Sequence, residues 1–468
     1  MFQRVENGMA VKKKVFKPFK VEALKDLEAF RQVTRELGYD FPTSASMEAL
    51  KQPLLLEGKV IPNRIGINPC EGFDANPDGT PGPLTIRRYN RFGDGGCGLI
   101  WFEAMGVSEQ GKGNVRQVML TEERHIAPLR QMLDSLLAHA RNARGAGFRP
   151  YLAVQLTHAG RCSYDENMKF VEKSVVFNPY TDLGKEDEIH YLTDGEIEQA
   201  EDDFAHAAYI AMQAGFDAVD IKICHHYLLR ELLSAVTRPG KYGGSFENRS
   251  RAIFNIIDKI RALCGGGIAI CARMNAYDCW RWPYGWGMAT DGSMRPDLTE
   301  PIRLTRMLVD RGVKLINIST HLPRYSPYGK GELAEYDDET PIDPYFGVHN
   351  LLKATRQIKE AVPDAVIMST GLSWFSQFGA NVGAGGVEQG WFDIAGYGRQ
   401  SFAYPDFAND ILDKGGFQVN KCCVMCDKCF DLISNGERGG CVVRDSKVYV
   451  PHYTKMMENI RKKRGEKA

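Results

Sequence analysis

The chain has 468 residues, with 59 basic and 59 acidic side chains and a formal net charge of zero. No net field draws it to nucleic acid or to an anionic membrane, and no apolar run of about 18 residues marks a spanning helix. The length is enough to bury a large core in one or two domains.

The opening stretch "MFQRVENGMAVKKKVFKPF" has no apolar signal core followed by a small-residue cleavage site. A cytoplasmic location is expected. Thiols stay reduced there, so clustered cysteines point to metal or catalysis rather than disulfides. Residues 1–60 read as an N-terminal extension packing on the main body of the chain. Eight short apolar, β-rich runs then come in order: "RIGIN" (64–68), "GLIWFE" (98–103), "YLAVQL" (151–156), "DAVDIKI" (217–223), "IAICARM" (268–274), "KLINIS" (314–319), "DAVIMS" (364–369) and "FDIAGYG" (392–398). They lack strict polar alternation, as strands buried on both faces do. Amphipathic helices lie between them. One starts at Thr121 and sets Ile126, Leu129, Met132, Leu133, Leu136, Leu137 and Ala140 on one face. Another starts at Thr193, which forms a capping box with Glu196, and ends at Gly215. Further helices fit 247–263, 298–312 and 347–361. Alternating strand and helix predicts an α/β fold, a (β/α)8 TIM barrel over 61–410, with a C-terminal segment over 411–468. A doubly wound sheet is the alternative, but no GxGxxG turn comes after the first strand.

Such barrels carry their chemistry at the C-terminal ends of the strands. Polar motifs succeed the apolar runs there: "NPCEGFD", "QLTHAGR", "KICHHYLL", "THLPRY", "TGLSW" and "GYGR", with Arg273 on the fifth strand. Gln155, His158, Lys222, His225, Tyr227, Arg273 and His321 thus gather at one rim. Each alone is a weak signal, a lone histidine being more often a satisfied interior residue than a catalyst; together they mark a reaction site. Gly371, Gly398 and Arg399, at the ends of strands seven and eight, suit a phosphate group. Trp280, Trp282 and Trp286 in "NAYDCWRWPYGWG" are either anchors of a self-packed loop or an aromatic wall for a flat substrate.

The spacing Cys423-x2-Cys426-x2-Cys429-x11-Cys441 brings three thiols of one loop to a distant fourth, leaving Cys422 aside. An iron–sulfur cubane suits that pattern. A tetrahedral zinc site is the alternative, although zinc ribbons more often pair two CxxC knuckles.

"QLTHAGR", "HHYLLRELLSAVTRPGKYGGSFENRSR" and "GYGRQSFAYPDF" resemble the Old Yellow Enzyme family of flavin oxidoreductases over roughly residues 55 to 450. With "CVMCDKC", the last stretch resembles its iron–sulfur branch, which includes 2,4-dienoyl-CoA reductase and trimethylamine dehydrogenase. The resemblance implies a TIM barrel with FMN at its mouth. Gln155 and Arg273 match the residues that hydrogen-bond the flavin's pyrimidine side, Gly371, Gly398 and Arg399 its phosphate site, and Pro69, Cys70 and Glu71 the turn along its other edge. Cys70 stands one residue from the position at which trimethylamine dehydrogenase attaches its flavin. Tyr227 matches the proton donor to the substrate carbon, and His225 one of two residues that orient the acceptor. The other is usually His or Tyr; here it is Lys222, which puts the usual substrates in doubt and suits a carboxylate or a stronger electrophile. His321 loosely matches a catalytic histidine of the dienoyl-CoA reductases. Cys423, Cys426, Cys429 and Cys441 match [4Fe-4S] ligands.

These matches imply reduction of an activated C=C bond in an anaerobic or microaerobic setting. In the nearest members of the branch a C-terminal FAD/NAD(P)H domain feeds the cluster. This chain ends about 27 residues after Cys441, so a separate ferredoxin, flavodoxin or flavin reductase is expected as electron donor. The opposite direction, an amine dehydrogenase or demethylase, is the alternative, although Lys222 would repel a cation. A zinc-bearing scaffold without flavin is a third reading. Substrate identity and homo-oligomerisation are left open.

Overall fold

The structure, a computed structural model, describes residues 21–165, 169, 171–322 and 344–463. All eight apolar runs are strands: β1 (Ile65–Ile67), β2 (Leu99–Gly106), β3 (Tyr151–Thr157), β4 (Ala218–Ile223), β5 (Ala269–Asn275), β6 (Leu315–Ser319), β7 (Val366–Met368) and β8 (Ala395–Tyr397). The strands from β1 to β7 pair in parallel, each with the next, and β8 returns to β1. A parallel bridge between Met368 and Ile394 closes the ring. The result is a (β/α)8 TIM barrel. Its register sets Gln155 opposite Asp220 and Lys222 opposite Arg273. These side chains therefore stand on adjacent strands, at levels fixed by the ladder.

The flanking helices are α1 (Pro83–Asp94), α2 (Ile126–Arg144), α3 (Asp194–Ala214), α4 (Phe246–Cys264), α5 (Thr299–Asp310), α6 (Pro344–Ala361) and α7 (Gly379–Glu388). α3 shows most directly how sequence sets a boundary. The Thr193 hydroxyl accepts from the Glu196 amide at 3.2 Å, and the Glu196 carboxylate accepts from the Thr193 amide at 2.8 Å. At the other end Gly215 takes φ 107° and stops the helix. α2 begins later than the Thr121 expected: residues 123–125 form a 3-10 turn first, with the His125 ring accepting from the Glu122 amide at 3.2 Å.

Residues 21–61 also build structure. A hairpin, Leu54–Leu56 with Lys59–Ile61, turns through Glu57 and Gly58, both at positive φ, as a two-residue hairpin turn requires. It delivers Leu56 and Ile61 onto Leu99, Trp101, Tyr151, Ala218, Leu315 and Ile394, an apolar plug. An early helix (Leu27–Glu36) packs Phe30 edge-on to Phe375 and stacked on Phe378. The chain after it lies on the glycine face of α7; a Cβ at Gly385 would meet Thr43 backbone at 2.4 Å.

After β8 the chain passes through the cysteine loop, a short helix (Lys428–Ser434) and α8 (Ser446–Lys463). This segment is bolted to the barrel. Asp445 accepts from Arg87 at 2.7 Å and Arg91 at 2.6 Å, both on α1. The Gly439 amide donates to the Gly72 carbonyl at 2.7 Å, and Arg116 donates to the Gly436 carbonyl. Among the described residues no helix is long and apolar enough to cross a membrane.

Candidate active site

One cavity of about 420 Å³ opens at the C-terminal rim of the barrel, within the range of small-molecule sites. It gathers most of the residues singled out from sequence: Pro69, Cys70, Glu71, His225, Tyr227, Arg273, His321, Gly371, Gly398, Arg399 and Cys429. β4 ends at Ile223, and the chain turns through two consecutive histidines before a short helix at Leu228. His225 and His226 both take positive φ, 63° and 65°, which costs roughly 1–3 kcal/mol for each residue with a Cβ. The strained turn points His225 and Tyr227 into the cavity, while His226 packs edge-on against Trp280 with ring centroids 4.8 Å apart.

Burial holds the His225 imidazole well below its ordinary pKa, and Arg273 and Lys222 push it further down. It is neutral at physiological pH, with Nε2 3.0 Å from the Ser319 hydroxyl. His321 is likewise pushed down to about 4 by burial. It too sits at positive φ, 58°, with its ring edge-on to Tyr277.

Lys222 departs from the expectation of a free acceptor-binding group. It is buried, and its ammonium donates to the Glu71 carboxylate at 3.0 Å. Burial alone would lower the lysine, but Glu71 outweighs it and holds the group above the usual range. Burial would raise Glu71, and Lys222 overcomes that and keeps it below the usual carboxylate range. Both stay charged, so the pair carries no net charge while its ammonium remains a local cation. A carboxylate substrate would have to compete with a carboxylate already in place. The same ammonium lies 3.7 Å from the centroid of the Tyr227 ring, a close cation–π contact.

Arg273 lines the same cavity, and its buried Nε has no hydrogen-bond partner among the described residues. A buried guanidinium with a spare donor is costly unless a ligand accepts from it. Gln155 is buried beside β4 and donates to Asp220 at 2.6 Å. Asp220 was missed in sequence. It accepts from Gln155, the Arg273 amide at 2.7 Å and the Trp101 indole at 3.0 Å. Burial raises it to about 6 in spite of these donors. Its signal was an acidic residue inside an apolar strand, "DAVDIKI". At the other end Gly371 has φ 91°, and a Cβ on Gly398 would approach the Cys70 sulfur at 3.3 Å. The spare Arg273 donor and the bare glycines fit a flat ring system ending in a phosphate, as FMN does.

Arg399 lines the cavity beside Asp427 and Cys429 of the cysteine loop. Its guanidinium pairs with Asp427 and lies over the Trp374 ring at 4.9 Å. Asp427 separates Cys426 from Cys429 and takes φ 56°. Burial pushes Cys423 up to about 11 and Cys429 up to about 12; Arg399 opposes this, while neighbouring thiols, Cys441 among them, add to it. The Cys441 sulfur accepts from the Arg444 amide at 3.3 Å. The loop thiols and Cys441 thus lie within electrostatic reach of one another. Among the described residues, however, no three His, Cys, Asp or Glu side chains are drawn together tightly enough to hold a metal ion.

The tryptophan loop takes the self-packed alternative. Trp280 and Trp286 are fully buried, and neither lines the cavity. Trp280 stacks on Tyr180 at 5.5 Å, and the Trp286 indole donates to the Asn275 carbonyl at 2.9 Å. Trp282 is half-buried under Arg249.

The model of the NADH:flavin oxidoreductase / NADH oxidase family matches residues 49–287. The chain belongs to this family. It is therefore a flavin-dependent oxidoreductase, and FMN is the flavin its membership supports. An NADH:flavin oxidoreductase of Gibberella zeae is 27% identical over 341 residues, covering 68% of this chain and 75% of that protein. An NADPH dehydrogenase of Listeria monocytogenes is 28% identical over 277 residues, 58% of this chain and 74% of that one. Among solved structures, a 2-naphthoyl-CoA reductase in complex with 2-naphthoyl-CoA superposes with a TM-score of 0.68 at 22% identity, covering 85% of this chain and 57% of that one. The chain thus spans little more than half the length of that reductase. A morphinone reductase in complex with tetrahydroNAD gives a TM-score of 0.56 at 20% identity, covering 78% of this chain and 90% of that one. At these identities the superpositions speak for the barrel alone.

Proposed function

We propose that this oxidoreductase reduces an activated C=C bond in a neutral, conjugated acceptor of the enone, enoate-ester or enoyl type. The observation that carries the reading is Tyr227 beside neutral His225, both facing the cavity into which Arg273 projects. FMN, when bound, supplies a hydride to one carbon of the double bond. His225 donates a hydrogen bond to the acceptor's carbonyl oxygen and draws charge towards it. Tyr227 gives its phenolic proton to the other carbon. Arg273 sits against the Pro69 carbonyl at 3.4 Å and offers positive charge to the ring that becomes anionic on reduction. Gln155, fixed by Asp220, borders the same face. Gly371, Gly398 and Arg399 receive the phosphate, and His321 walls the acceptor side. With Lys222 neutralised by Glu71, the acceptor wall favours neutral molecules over carboxylates.

Cys423, Cys426, Cys429 and Cys441 are the proposed ligands of a [4Fe-4S] cluster. Two observations support this: Cys441 acts electrostatically on both Cys423 and Cys429, and the cysteine segment itself lines the flavin cavity through Cys429, Phe430 and Ile433. A cubane is broader than a single ion and tolerates more widely spaced thiols than a zinc site does. Such a cluster would feed single electrons to the flavin from a ferredoxin, flavodoxin or flavin reductase docking near 420–445, where Cys426 is exposed.

The test is a reductive titration without oxygen, then mixing with conjugated enones. Reoxidation of the flavin band by an enone is expected, and Tyr227→Phe should slow that half-reaction by about 10² or more. Bleaching of the oxidised flavin by amines, with no reoxidation by enones, would replace this reading with amine oxidation. Full-rate turnover with NAD(P)H alone would remove the separate donor.

A further inference from the structure

Lys222 occupies the place where an acceptor-binding residue was expected, yet its ammonium is committed on two sides. Glu71 takes one N–H at 3.0 Å, and the Tyr227 ring covers the ammonium with its centroid at 3.7 Å. Lys222 is 2% exposed, so this charge acts through a medium that screens it poorly. A cation over an aromatic face is bound more tightly when the ring carries negative charge than when it is neutral.

We propose that Lys222 is a positioning residue for proton delivery, held by Glu71 against the Tyr227 ring so that it stabilises the phenolate formed when Tyr227 gives up its proton. The inference rests on the proposed C=C reduction. In the step, the O–H bond of Tyr227 breaks, its electron pair stays on the phenolate oxygen, and a C–H bond forms on the acceptor carbon. The hydride for the other carbon comes from reduced flavin, and water restores the phenol. Glu71 has a second part: it offsets the burial that would otherwise lower the lysine, and so helps to keep a cation under the ring. The other titratable or charged groups lining the cavity, among the described residues, are Cys70, Glu71, Cys162, Tyr164, His225, Arg273, His321, Arg399, Asp427 and Cys429. His225 is neutral; Arg273 and Arg399 are the cavity's other cations, and Arg399 is paired with Asp427.

The test compares tyrosinate absorbance of the full chain from about pH 7 to about pH 11, each protein against its own Tyr227→Phe derivative, so that the difference isolates Tyr227. Lys222→Met is expected to move that step upward by about one pH unit, a tenfold change. Lys222→Arg, which keeps the charge, should restore part of the shift. Should Lys222→Met fold poorly with Glu71 left unpaired, the double variant Lys222→Met, Glu71→Gln removes both charges and should still move the step upward, by less than Lys222→Met because the Glu71 carboxylate is gone as well. In the enone half-reaction both variants should slow about tenfold, with little change in the dissociation constant of the neutral enone. A Tyr227 step unmoved in the double variant, or a loss confined to enone binding, overturns the proposal. Because the absorbance measurement needs neither bound flavin nor turnover, its outcome stays separate from failure of enone reduction itself.

Discussion

The two walls of the cavity are built by different means. One consists of strand ends: Arg273 on β5 and the partly buried turn after β4 that carries His225 and Tyr227, backed by buried Lys222, which the ladder register sets opposite Arg273. The other consists of the cysteine segment, whose Asp427, Phe430 and Ile433 reach the cavity from a loop and a seven-residue helix. That wall is held by part-exposed ion pairs, Arg87 and Arg91 to Asp445 and Arg399 to Asp427. The first wall forms whenever the barrel forms. The second is an attachment, expected to loosen while the barrel stays folded.

The largest expected effect falls on the strand wall. Lys222→Met leaves Glu71 in the cavity without its partner and should cost about 3 kcal/mol of stability, the low end for a broken buried pair because Glu71 keeps some solvent contact. Chemical denaturation would read it, and a loss under about 1 kcal/mol would show that water reaches the pair freely. The pair also has a pH sign. Glu71 is depressed in the folded protein, so its contribution is present above the ordinary carboxylate pKa and is lost as pH falls through the lower folded value.

Asp445→Ala tests the attached wall. It removes the acceptor of both α1 arginines, worth about 1 kcal/mol after screening at these part-exposed groups. The main barrel transition should barely move, while protease cleavage between about residues 415 and 445 accelerates and iron content falls. Equal destabilisation of barrel and segment would erase the difference between the two walls.

Asp220→Asn is expected to be smaller and to show mainly as a change in pH dependence. The folded carboxyl titrates at about 6, above its ordinary 3.8. The folded state therefore binds the extra proton, and stability falls as pH rises from about 4 to about 6. Asparagine should flatten that fall, as thermal melts across the window would show. The smallest effect is expected from Trp282→Ala, in the self-packed loop away from the cavity. Flavin affinity should stay within about twofold of the parent, and a larger change would give that loop a part in the site.

Legibility in the sequence divides in the same way. Strands buried on both faces announce themselves as uninterrupted apolar runs, so all eight were legible, as was α3 through Thr193 and Glu196. The rim residues came from the rule that barrel chemistry sits at strand ends. α1 and α7 were not named: α1 carries three arginines and buries Arg88 against Asp74 and Glu103, and α7 is rich in glycine, so neither reads as a helix with one apolar stripe. The pairing of Lys222 with Glu71 was hidden for another reason. The two are 151 positions apart, and no local pattern predicts that a charge on β4 will be met by one from the turn after β1. The tryptophans misled in the opposite sense, since aromatic rings inside a loop serve packing as readily as recognition.

The hairpin of residues 54–61 has a kinetic corollary. By stoppering the barrel with Leu56 and Ile61, it keeps small molecules from entering at the end away from the flavin. If the proposed chemistry holds, any soluble hydride source and the unsaturated acceptor share one doorway and must take turns. Initial rates measured against both reactants should then give parallel lines in double-reciprocal form, and intersecting lines would mean that the two can be aboard together.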